Sequence, residues 1–190
     1  GFKPTIFEAM EKPGGMLQYG IPEFRLPRKV VEQDIQSILD LGINLQTNTE
    51  ITTLQALEER QHKHDALIVA GGCMQARMIQ NLPGNFELAV PGLYYMQQIH
   101  LGKHVAEAGH VVVIGGGFTA VDCARSALRL GADSVSLVYR RTKDRLRVGP
   151  NETKALKEEG VHTYFLHSPK SISNHATDID SVTFTPMQMN

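Results

Sequence analysis

Apolar residues along this chain alternate between two spacings, and each change of spacing marks an element. Thr5-Ile6-Phe7 opens as a short strand that ends at Glu8. A Gly- and Pro-rich stretch follows, from Pro13-Gly14-Gly15 through Gly20-Ile21-Pro22 to Leu26-Pro27, and reads as one long irregular loop. Long loops of this kind usually carry function. From Arg28 the apolar residues Val31, Ile35, Ile38 and Leu39 fall at helical spacing, with Gly42 placed to cap the helix. Ile43 and Leu45 alternate as a strand, Leu54 to Arg60 forms a short helix, and Ala66 to Ala70 runs into Gly71-Gly72 as a buried parallel strand.

After Pro91-Gly92 the pattern restarts. A helix spans Tyr94 to Leu101, a strand His110 to Ile114, a helix Phe118 to Leu130 closed by Gly131, and a strand Ser134 to Tyr139. That order is βαβ. A helix from Glu152 to Glu159 capped by Gly160, a strand from Val161 to Leu166 and an alternating segment at 182–185 complete the chain. The predicted fold class is α/β, with two domains: 1–92 and 93–190.

The chemistry concentrates at the second restart. Val111 to Ile114 runs straight into Gly115-Gly116-Gly117-Phe118-Thr119-Ala120, a G-x-G-x-x-A pattern between an apolar strand and a helix. In that setting Gly115 permits the tight turn, Gly117 lets the backbone approach a pyrophosphate, and Ala120 keeps the helix close to the strand. The phosphates would meet the N–H groups at the helix start. The competing reading is a glycine-rich turn that binds nothing. Roughly 20 residues further on, where an NAD site shows an acidic residue, this chain has Tyr139-Arg140-Arg141, followed by Arg145 and Arg147. Arginine forks suit a 2′-phosphate, although a solvated basic loop would look the same in sequence. Thr5-Ile6-Phe7-Glu8 repeats the logic with opposite charge, because an acidic residue ending such a strand contacts a ribose hydroxyl. Glu8 could equally be a plain surface carboxylate.

Composition changes this picture little. With 19 basic and 20 acidic residues the net charge is −1, so no overall field draws in nucleic acid or an anionic membrane. Asp144 interrupts the arginine cluster and no aromatic platform accompanies it, which also argues against nucleic acid. Cys73 and Cys123 form no C-x-x-C pair, which fits a reduced, cytoplasmic setting and argues against a dithiol redox centre. His62-Lys63-His64 reads as an exposed loop, not a metal site. No apolar run is long enough to span a bilayer. The chain starts without Met, almost directly in a strand, which points to a segment upstream.

Several of these stretches carry a resemblance. Glu8-Ala9, Glu11-Lys12-Pro13-Gly14-Gly15, Tyr19 through Pro27, Gly115-Gly116-Gly117 with Thr119-Ala120 and Asp122, and Leu128 through Ala132 followed by Tyr139-Arg140-Arg141 resemble the glutamate synthase small (beta) subunit family. They are similar also to the flavin and NADPH domains of dihydropyrimidine dehydrogenase. The resemblance covers nearly the whole chain. It implies a two-dinucleotide, disulfide-reductase-like pair of Rossmann domains, present here as a fragment, in which NADPH reduces FAD and electrons leave through 4Fe-4S clusters. It places Glu8, Gly15, Met16 and Arg25 at the FAD, and Arg140, Arg141 and Arg147 at the NADPH 2′-phosphate. The first glycine loop of the flavin site and the cluster cysteines of the family are not in this sequence, so the 190 residues alone are expected to retain no flavin, and the clusters are expected in an iron–sulfur domain or partner subunit. Phe118 departs from the family, which usually has Asn or Asp there. The expected activity is that of an NADPH-dependent flavin oxidoreductase, with a redox-inactive NADP(H)-binding or interaction module as the alternative. A homo-oligomer is compatible with either.

Overall fold

The computed structural model describes residues 1–76, 88–103, 109–176 and 178–188. The chain forms two compact units, Gly1–Met74 and Gln75–Asn190.

In the first unit, β1 (Thr5–Phe7) and β2 (Asn44–Gln46) pair in parallel, with Ile6 opposite Leu45. The connection between them carries α1 (Gly15–Tyr19) and α2 (Arg28–Leu39), and α3 (Leu54–His62) follows β2. Thr53 caps α3, its hydroxyl accepting from the Ala56 amide at 3.1 Å. The loop expected between Pro13 and Pro27 instead contains the single-turn α1. Glycine density hid it from the sequence: Gly14 and Gly15 both take positive φ, and the turn is held by burial of Gln18 and Tyr19, a tertiary effect. The expected buried strand at 66–70 does not form. That backbone enters no ladder, and Ile68 and Val69 are 88% and 74% exposed. A strand exists through its neighbour, and no strand lies beside this segment among the described residues.

Among the described residues, the first α-helix of the second unit is α4 (Gly92–His100). Three parallel strands follow in the order β3-β4-β5: β3 (His110–Ile114), β4 (Ser134–Tyr139) and β5 (His162–Phe165). β3 and β4 are joined through α5 (Phe118–Arg129), and β4 and β5 through α6 (Pro150–Glu158). The central strand is buried from Val135 to Tyr139, so it reads as an unbroken apolar run apart from Ser136. Val121, Ala124 and Ala127 of α5 pack with Val135, Leu137, Leu156 and Val161 to form the core. Burying a Leu or Val side chain there contributes about 1.5–3 kcal/mol. Gly131, at φ 101°, ends α5, and the Ala132 amide donates back to the Ala127 carbonyl. The final hairpin pairs β6 (His167–His175) with β7 (Asp178–Pro186) in antiparallel fashion. Only β7 was expected, because β6 carries Pro, Lys, Asn and two His in place of alternation.

Candidate nucleotide site

The turn between β3 and α5 uses its glycines for three different reasons. Gly115 takes φ 156°, and a Cβ there would lie 2.8 Å from the Ala120 Cβ, so glycine at 115 and alanine at 120 together let the helix start close to the strand. A Cβ on Gly116 would fall 2.4–2.7 Å from the ring of Tyr139. A Cβ on Gly117 would meet no protein atom within 4 Å. Gly117 is also the N-cap of α5, with extended backbone and no side chain to accept from the first turn. Open space over Gly117 and the positive end of a twelve-residue helix together suit an incoming anion.

The backbone of the arginine-bearing loop returns to this turn. Arg140 and Arg141 leave the carboxyl end of β4, and the chain passes through a single 3-10 turn, Lys143–Arg145, before returning to the glycines. There the Arg147 amide donates to the Gly116 carbonyl at 2.8 Å, and Arg147 bridges Gly117 in parallel. Arg140, Arg141 and Arg147 are all exposed. The first unit has a smaller parallel. Glu8 directly follows β1, and its Oε1 accepts from the Met10 amide at 2.9 Å, which holds the carboxylate at the strand end. Gly14 is crowded by Ile35, Gln18 and Val31, whereas Gly15 faces open space. Met16 covers Gly20, and Arg25 sits half-buried in the turn after Pro22. The Arg28 guanidinium donates to the carbonyls of Leu17 and Ile21, which fastens the segment around α1.

Cys123 is buried in α5, its Sγ 3.5 Å from the Gly92 carbonyl. Burial, then the nearby Asp122 carboxylate, pushes its thiol up to about 12, so no thiolate forms at neutral pH. Cys73 is exposed. His64 Nδ1 lies 2.7 Å from the Arg60 carbonyl and its ring meets Phe7 edge-on, and among the described residues no group of three or more His, Cys, Asp or Glu could hold a metal ion. No helix among the described residues is long and apolar enough to cross a membrane. Sequence reasoning missed the parts played by Gly116 and Tyr139: the fingerprint leaves the position of Gly116 undefined, and Tyr139 reads simply as the end of a strand.

A parallel βαβαβ unit with a glycine turn at its first helix defines a dinucleotide-binding α/β protein. The family model described as pyridine nucleotide-disulphide oxidoreductase matches residues 4–188, and the chain belongs to that family. Among its relatives, the NADP(+)-dependent formate dehydrogenase subunit beta of Moorella thermoacetica is 37% identical over 176 residues, covering 90% of this chain and 25% of that protein. The glutamate synthase [NADPH] small chain of Azospirillum brasilense is 34% identical over 185 residues, covering 91% of this chain and 38% of that protein. The chain thus spans well under half the length of these relatives. Among solved structures, Mycobacterium tuberculosis FprA in complex with NADPH has the same fold, with a TM-score of 0.71 at 16% identity over 98% of this chain and 62% of that one.

Proposed function

We propose that the second unit binds NADPH, as part of an NADPH-dependent flavin oxidoreductase of the glutamate synthase small-subunit kind. The observation that carries this reading is the return of the arginine loop to the glycine turn, where the Arg147 amide bonds the Gly116 carbonyl. One nucleotide can therefore lay its pyrophosphate over Gly117 and the amides of Phe118 and Thr119, and its 2′-phosphate among Arg140, Arg141 and Arg147. When bound, NADPH supplies a hydride and FAD accepts it. Glu8 would hold a flavin-nucleotide ribose hydroxyl, with Gly15, Met16 and Arg25 beside it, so that residues 1–92 serve the flavin and 93–190 the NADPH. Two relatives are named as subunits, which supports a partner that takes the electrons onward. On this reading the partner is an iron–sulfur protein or domain, as the resemblance implies, and the unpaired spacing of Cys73 and Cys123 favours a cytoplasmic setting.

Charge-assisted hydrogen bonds contribute roughly 1.5–3 kcal/mol each, and exposure places these at the lower end. One contact of about 1.5 kcal/mol gives roughly tenfold preference for NADPH over NADH, and two give on the order of a hundredfold. Titration calorimetry with both nucleotides, on the wild type and on the double variant Arg140→Ala, Arg141→Ala, tests this. Equal affinities in the wild type, or an unchanged ratio in the double variant, would refute it.

A further inference from the structure

We propose that Tyr139 is a positioning residue for nucleotide preference: it fastens the arginine loop to the glycine turn and so sets where the 2′-phosphate ligands stand. The inference rests on the reading of this unit as an NADPH site. Tyr139 is the last residue of β4 and is 9% exposed, although Arg140 directly after it is exposed. Its ring occupies the space that a side chain at 116 would need. Its hydroxyl donates to the Arg145 carbonyl at 2.9 Å, across the 3-10 turn. The Arg147 amide then closes the loop on Gly116, the same residue that the ring covers.

These contacts join two phosphate-binding segments that are far apart in sequence. A loop of eight residues bearing four arginines and a lysine, 140–147, has one acidic residue, Asp144, to offset them, so its net positive charge repels itself. Tied through Tyr139, its backbone is ordered before any nucleotide arrives, so less ordering entropy is lost on binding. The arrangement also accounts for the middle glycine of the turn. The dinucleotide fingerprint makes no demand at that position, whereas the Tyr139 ring does.

Tyr139→Phe keeps the ring and removes the bond to Arg145. The expected result is an NADPH affinity weakened roughly two- to tenfold, the range one neutral hydrogen bond supports, with NADH affinity unchanged because NADH does not engage the arginines. Hydrogen exchange at the Arg147 amide should speed up in the same variant, with or without nucleotide. Equal weakening of both nucleotides would make Tyr139 a merely structural residue and overturn the inference. So would a retained NADPH-to-NADH ratio together with unchanged Arg147 exchange, in a wild type that prefers NADPH. A wild type that binds both nucleotides equally is a different failure, since it removes the NADPH reading on which the inference stands.

Discussion

Glu159 ties two helices of the second unit together through charge. Its carboxylate accepts from Arg125 Nη2 at 2.7 Å and Nε at 3.0 and 3.1 Å, and from Arg129 Nη1 at 2.7 Å and Nη2 at 2.9 Å, joining α5 to the end of α6. Those bonds, from Arg129 first and Arg125 second, pull its carboxyl from near 4.5 down to about 2. At roughly 1.36 kcal/mol per pH unit, that difference corresponds to about 3 kcal/mol before screening. Solvent reaches 24% of the Glu159 side chain and 42% of Arg129, so we expect about 1–2 kcal/mol to survive. Because the folded state lowers the pKa, this stability is fully present above about pH 4.5 and drains as the pH falls toward 2. Glu159→Gln should therefore cost about 1–2 kcal/mol in urea unfolding at pH 7, and the gap to the wild type should roughly halve by pH 3. A variant as stable as the wild type at pH 7 would refute the reasoning. A loss of the same size at both pH values would trace the effect to packing, not charge.

Two further outcomes separate the roles of individual residues. Gly117→Ala should fold normally and lose affinity for NADPH and NADH alike, because only a bound phosphate would meet the new methyl, whereas Gly115→Ala, aimed at Ala120 from a positive φ, should lower stability by about 1–3 kcal/mol; thermal unfolding and nucleotide titration on both variants distinguish them. Cys123 should resist alkylation in the native chain at neutral pH while Cys73 reacts promptly, and mass spectrometry after a short iodoacetamide pulse would contradict the burial argument if the two labelled at equal rates.

Local pattern alone was enough for the βαβ segment at the heart of the second unit. The run Val111–Ile114, the glycine turn, the amphipathic α5 with its Gly131 stop and the strand up to Tyr139 lie within 30 residues, and each is specified by its own periodicity and punctuation. The same local information marked Gly115, Gly117 and Ala120, because the fingerprint is a constraint on neighbouring backbone. It could not mark β6, which lacks alternation and exists through its pairing with β7. Nor could it decide that Ala66–Ala70, with the composition of a buried strand, would lie exposed, since a strand depends on a partner elsewhere in the chain. The approach of Arg147 to Gly116 was likewise out of reach: the path of the loop that bears the arginines depends on a ring, a hydroxyl and an amide meeting across some thirty positions of sequence, and only folding brings them together.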